Sequence, residues 1–204
     1  MFQFIETIKI DKGQIYRIAY HQARFEATRD AFFQNEIMPS IDLESRIVPP
    51  DNENCYRCRI TYGKFIDKIE YFPYEPKPIE TLKVIEADEL FYYYKFADRA
   101  KIDALTEQKG TADDILMVRN GLFTDTSIAN VAFLKDDVWH TPQFPLLAGT
   151  QREELLHLQK VVIKKVALKD LFDYSHIAIF NAMIEFGDLV LPINKETIIL
   201  PEEN

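Results

Sequence analysis

The chain lacks the glycine-rich motifs that cradle nucleotides. Neither GxxxxGKS/T nor GxGxxG occurs, so a nucleotide phosphate is not indicated. Positive charge is in deficit: 24 Lys and Arg stand against 33 Asp and Glu, with no basic cluster. The net charge of −9 and a pI near 5.0 oppose nucleic acid and anionic membrane surfaces. No apolar run is long enough to span a bilayer. The opening MFQFIETIKIDKG alternates apolar and polar residues and soon meets charge, which is not a signal-peptide pattern, so the expected location is the cytoplasm. Cysteine is scarce: Cys55 and Cys58 are the 2 in the chain. On a strand they point to opposite faces, and no second pair completes a zinc site. They are expected to be structural or incidental thiols. His21, His140, His157 and His176 are scattered without metal spacing and are expected to be surface or strand-end histidines, so no metal is expected. Internal repeats and low-complexity segments are also absent.

What is present is 204 residues with an ordinary 47% hydrophobic content, enough for one large or two small domains. Alternation predicts strands over 2–10 and 14–18 around the Asp11-Lys12-Gly13 turn. Phe25, Thr28, Arg29 and Phe32 give helical spacing over 20–33. Strands are expected over 55–62 and 65–72. YFPYEPKPIE carries Pro73, Pro76 and Pro78 and reads as a linker. The expected domains are therefore 1–78, smaller and N-terminal, and 79–204, larger. The second contains strands over 79–86, 114–118, 122–124, 129–134, 138–140, 161–166, 176–180 and 189–193. Helices are expected over 99–108, 149–159 and 168–172. Strands and helices do not alternate regularly, which predicts an α+β fold.

Four short stretches could carry chemistry. In FYYYKFADR, Lys95 follows a run of aromatics. Desolvation would make its amine nucleophilic, whereas a lysine at a strand end can equally extend to water. In LLAGTQREELL, Gly149 and Thr150 open a helix that could bind an anion, or Thr150 could be a plain N-cap. In GLFTDTSIANVAF, Asp125 could bind a ring N–H or cap a turn. In IAIFNAMIEF, Asn181-Ala182 ends an apolar strand and could line a site or form a turn.

Their order matters more than any one of them. FIETIKI, HQARF, YKFADR, NGLFTDTSIANVAF, WHTP, LLAGTQR and FNAM together resemble the class-IV aminotransferase family, the fold-type IV pyridoxal phosphate enzymes, over nearly the whole chain. The resemblance implies a two-domain α+β architecture and pyridoxal 5′-phosphate as cofactor. It implies that Lys95 forms the internal aldimine and that Asp125 faces the pyridine nitrogen. Arg24, Gly149, Thr150, Asn181 and Ala182 would bind the phosphate. Tyr93 and Arg99 would meet substrate. The K-x-x-x-R spacing of Lys95 and Arg99, and Asn181-Ala182 in place of a hydroxyl pair, resemble the 4-amino-4-deoxychorismate lyase branch, which yields 4-aminobenzoate and pyruvate in folate biosynthesis. The alternatives are a branched-chain or D-amino-acid type aminotransferase, and a non-catalytic relative serving as a binding module. A homodimer acting on a small-molecule amine is implied. Two features depart from the family. Its pyridine partner is usually Glu, so Asp125 needs a closer backbone or a bridging water. Relatives also carry a further strand and a Gly-rich turn before the FETI-like segment, so a shortened N-terminus is expected.

Overall fold

The computed structural model describes residues 2–33, 38–51 and 53–201. The outer ends of the expected domains, residues 1 and 202–204, lie outside them. The chain forms two compact units. The first comprises Met1–Pro76 with Tyr94–Asp98, and the second Lys77–Tyr93 with Arg99–Asn204. The linker break expected after residue 78 thus differs by two residues. The lysine segment, expected in the larger domain, belongs instead to the first unit.

In the first unit, β1 (Phe4–Asp11), β2 (Gln14–Ile15), β3 (Cys55–Tyr62) and β4 (Ile66–Pro73) form an antiparallel sheet in the order β2-β1-β3-β4. Helix α1 (Ile18–Phe33) packs on one face. Phe4, Ile8 and Ile10 of β1 and Cys58, Ile60 and Tyr62 of β3 alternate onto that face and are buried with Phe25 of α1. The helix buries His21, Phe25, Thr28 and Arg29, a stripe at helical spacing. Cys58 is buried and its thiol is pushed up to about 12 by burial, which keeps it inert.

Why does Tyr94–Asp98 join this unit? Its aromatics fill the same core. Phe96 packs 5.0 Å from Phe4, and Tyr94 stands edge-on to Phe32 at 4.9 Å. Its backbone also extends the sheet: Ile5 N–H donates to the Lys95 carbonyl at 2.9 Å, and Ala97 N–H to Gln3 at 2.8 Å.

The second unit is a mixed nine-stranded sheet. Its path runs β10 (Val162–Lys164), β9 (Val138–Pro142), β8 (Asn130–Lys135), β7 (Leu122–Thr126), β6 (Asp114–Arg119), β5 (Leu82–Glu86) and β13 (Ile198–Ile199). Strand β11 (His176–Phe180) branches from β8 and pairs with β12 (Val190–Pro192). Strands β5 and β6 are parallel, while β6, β7 and β8 run antiparallel. Strand β6 is buried over five of its six residues, its apolar run ILMV together with Asp114. Helix α2 (Ala100–Thr106) continues into a 3-10 turn, Glu107–Lys109, and helix α3 (Thr150–His157) is two turns long. The expected helix over 168–172 is a 3-10 helix, Leu168–Asp173. The architecture is α+β, as the irregular order of elements predicts.

Candidate active site

In the first unit, Glu6 of β1 is fully buried among polar partners. His21 Nδ1 lies 2.6 Å from its Oε2, and Arg24 donates from Nε to Oε1 at 2.9 Å and from a terminal nitrogen to Oε2 at 2.6 Å. Burial alone would raise the Glu6 pKa. The Arg24 charge and the hydrogen bonds of His21 and Arg24 outweigh it and hold the carboxyl at about 2. Glu6 is therefore an acceptor only, so His21 must present a proton at Nδ1. Burial also depresses His21, against the pull of Glu6, and the Arg24 and Lys95 cations depress it further. His21 is thus neutral, with its Nδ1–H committed to Glu6. The expectation of a surface or strand-end histidine fails here. His21 stands four residues before Phe25, on the buried stripe of α1, and that spacing was the available signal.

Lys95 is half-buried. The aromatic run beside it does not act as one wall. Tyr94 and Phe96 turn into the sheet–helix core, Tyr92 is buried, and Phe91 and Tyr93 are 60% and 57% exposed. The first two anchor the lysine's backbone. Phe91 and Tyr93 lie instead against Arg119, whose guanidinium is 6.0 and 5.6 Å from their ring centres. Strand β1 thereby holds two expected site residues from adjacent positions: Ile5 fixes the Lys95 backbone, and Glu6 fixes the Arg24 side chain.

In the second unit, Asp125 of β7 is buried and lies opposite Asn130 of β8, the one position where these two strands pair. Asn130 Nδ2 donates to Asp125 Oδ1 and to the Leu147 carbonyl, both at 2.8 Å, and Leu147 N–H donates to Asp125 Oδ2 at 2.9 Å. Burial pushes the Asp125 carboxyl up to about 6, and the Asn130 and Leu147 hydrogen bonds and the Arg152 charge do not cancel it. This carboxylate lacks a cationic partner strong enough to restore an ordinary value. An ionised carboxylate offers about four acceptor positions, so a charged ring N–H can still be accommodated.

The same asparagine explains Gly149. A Cβ there would lie 2.0 Å from Asn130 Oδ1 and 3.1 Å from its Cγ. Gly149 is the N-cap of α3, with extended φ −76° and ψ 144°, and Thr150 is the first helical residue. Thr150 is thus not the N-cap. The amide groups of such a first turn have no partner within the helix and suit an anion. Arg152, two residues on, is buried and donates to Thr141 Oγ1 and the Pro142 carbonyl.

Asn181 organises a turn at the end of β11. Its Oδ1 accepts from Met183 and Ile184 N–H at 2.8 and 3.0 Å, and its Nδ2 donates to the Ile128 carbonyl at 3.1 Å. Ala182 is half-buried in that turn. Arg99 donates to the Ser127 carbonyl at 2.9 Å, which ties the start of α2 to the turn after Asp125. Tyr93 meets Arg119, as above. The sequence reading missed Glu6, His21 and Asn130; all three lie inside motifs it quoted. Among the described residues no cluster of His, Cys, Asp or Glu could hold a metal, and no helix is long and apolar enough to cross a membrane.

These two units, with a backbone-anchored lysine in one and a buried carboxylate and a glycine-capped helix in the other, have the architecture of fold-type IV pyridoxal phosphate enzymes. The chain belongs to the amino-transferase class IV family, whose model matches residues 3–190. It is 36% identical to a Haemophilus somnus protein provisionally named a 4-amino-4-deoxychorismate lyase. That match covers 90% of this chain and 97% of the other, with a TM-score of 0.85. A Haemophilus influenzae protein described as uncharacterized is 35% identical over 185 residues, 90% of this chain and 98% of its own. A Mesorhizobium loti protein provisionally named an amino-acid aminotransferase shares the fold at 20% identity. Its TM-score is 0.76, with 98% of this chain and 100% of that one covered.

Proposed function

We propose that this enzyme uses pyridoxal 5′-phosphate and acts as a 4-amino-4-deoxychorismate lyase, splitting its substrate into 4-aminobenzoate and pyruvate. The observation that carries the reading is the double role of β1, which anchors Lys95 through Ile5 and Arg24 through Glu6. The Haemophilus somnus relative supports the choice of substrate. The residues fit the cofactor. Asp125 is a buried carboxylate whose raised pKa calls for a cation, the role of a protonated pyridine nitrogen. Arg24 engages Glu6 through one edge of its guanidinium, and it, Gly149, Thr150, Asn181 and Ala182 are assigned to the phosphate. The working form is assigned as a homodimer of the cytoplasm.

When bound, the cofactor supplies an electron-accepting ring joined to the substrate nitrogen. Lys95 would hold it through Nζ. With the substrate bound, the Lys95 amine would be the base that takes the proton from the amine-bearing carbon. The neighbouring C–O bond then breaks and its electrons leave with the three-carbon enol, which ends as pyruvate. The six-membered ring becomes aromatic. Atoms balance without a co-reactant. Asp125, ionised above its pKa, would stabilise positive charge on the ring nitrogen. Glu6 keeps Arg24 oriented, and neutral His21 adds no charge of its own to Arg24 and Lys95.

The test is the visible spectrum of the protein with pyridoxal phosphate, wild type and Lys95→Ala, before and after borohydride. Wild type should show a yellow band and a reduced adduct on Lys95, and the variant neither. Pyruvate release should need no 2-oxo acid; dependence on one would replace the lyase reading with an aminotransferase. No band in the wild type would leave a binding module without this chemistry.

A further inference from the structure

The face of the four-stranded sheet opposite α1 carries Ile5, Thr7 and Lys9 on β1 and Arg57, Arg59 and Thr61 on β3, by the alternation that sends their neighbours into the core. Register sets Arg59 between Thr7 and Glu70 of β4, and Arg57 between Lys9 and Phe72. The cations differ in what occupies them. Arg57 lies over the Phe72 ring at 5.1 Å, and Lys9 over Tyr16 at 5.1 Å. Glu70, the carboxylate directly across from Arg59, is paired with Lys68. Arg59 is half-buried, its Nε is buried without a hydrogen-bond partner, and it makes no ion pair among the described residues. An Nε–H taken out of water with no acceptor carries a desolvation cost that an added acceptor would offset.

We propose that Arg59 is a specificity-determining clamp for a carboxylate that the substrate carries away from its reacting amine. The occupant is thus a small molecule with an amine at one end and a carboxylate at the other. Three features of this unit point there. The face is rich in cations, and the acid directly across from Arg59 is already engaged. An arginine offers the planar fork that matches a carboxylate. Lys95 lies on the edge of the same sheet, opposite Ile5. Two strand spacings of about 4.8 Å and two residues of about 3.3 Å put the Cα atoms of Lys95 and Arg59 roughly 12 Å apart. Two long side chains can shorten such a separation to the length of a small ring compound. The inference rests on the proposed use of Lys95, and it deepens that reading by stating what its substrate must carry.

The experiment titrates 4-aminobenzoate and its neutral counterpart 4-aminobenzamide into wild type, Arg59→Gln and Arg59→Lys, with and without pyridoxal phosphate. Wild type should prefer the carboxylate by roughly 10- to 100-fold. Arg59→Gln should abolish the preference without weakening amide binding, and Arg59→Lys should restore part of it. With the lyase substrate, Arg59→Gln should raise KM by a similar factor and leave kcat nearly unchanged. Thermal stability of Arg59→Gln should match or exceed wild type, because no internal partner is lost. A preference that survives in Arg59→Gln, or its absence in wild type, overturns the clamp. Failure of borohydride trapping in wild type overturns the proposed function separately, since carboxylate binding is read without added cofactor.

Discussion

Replacing Gly149 with alanine should destabilise the second unit through a single contact. The backbone there is extended and accepts any residue, so no conformational strain arises from φ. The added methyl carbon would stand 2.0 Å from Asn130 Oδ1, and the three atoms nearest to it all belong to the Asn130 amide. That amide is not free to rotate away, because its nitrogen bridges Asp125 and the Leu147 carbonyl. Displacing it removes one hydrogen bond to a charged group, worth about 1.5–3 kcal/mol, and one neutral bond worth about 1 kcal/mol. Gly149→Ala should therefore cost about 3 kcal/mol, read by urea unfolding. The decisive comparison is a double-mutant cycle with Asn130→Ala. Asn130→Ala forfeits the same hydrogen bonds but removes the three atoms nearest to the new methyl group. In that background Gly149→Ala should cost nothing, or stabilise by about 0.5 kcal/mol through the less flexible unfolded chain. Equal costs in the two backgrounds would refute the reasoning and place the role of Gly149 elsewhere.

Two further outcomes follow from the buried carboxylates. Glu6 falls from 4.5 to about 2 on folding, so its contribution is fully present above pH 4.5 and is lost as pH falls through about 2. Glu6→Gln, which leaves Arg24 beside a neutral amide, should cost about 3–5 kcal/mol near pH 7 and flatten that acid limb; an unchanged limb in pH-dependent urea unfolding would count against it. Asp125 has the opposite sign: it rises from 3.8 to about 6, so the folded state keeps a proton that the unfolded state releases. The stability of wild type relative to Asp125→Asn should therefore fall as pH rises from about 4 to about 6, by up to roughly 3 kcal/mol in cofactor-free protein. A difference independent of pH would mean that the carboxylate is not held in a desolvated state.

Sequence periodicity located most of the elements because local signals and tertiary burial agree in them. The spacing of Phe25, Thr28, Arg29 and Phe32 marks α1, and three of these four residues are buried. Alternation in CYRCRITY gives both β3 and its core face. The short β13, Ile198–Ile199, went unseen, since two residues carry no period and are placed by parallel pairing with β5 and the burial of Ile198 in the core. The aromatic lysine segment is the more instructive case. FYYYKF reads locally as a desolvating pocket around an amine. Yet Tyr94 and Phe96 are drawn into a core built by residues far away in sequence, and Phe91 and Tyr93 go to Arg119. The aromatics hold the lysine's position through its backbone and do not wall its amine. Glu6, His21 and Arg24 form a separate polar cluster in the same unit, which the packing of α1 on β1 assembles. A pattern search values each motif for the residue known to react. The fold shows that FIETIKI and HQARF are two halves of one partly buried ion pair, so substitutions at Glu6 or His21 should disturb Arg24 as surely as substitutions at Arg24 itself.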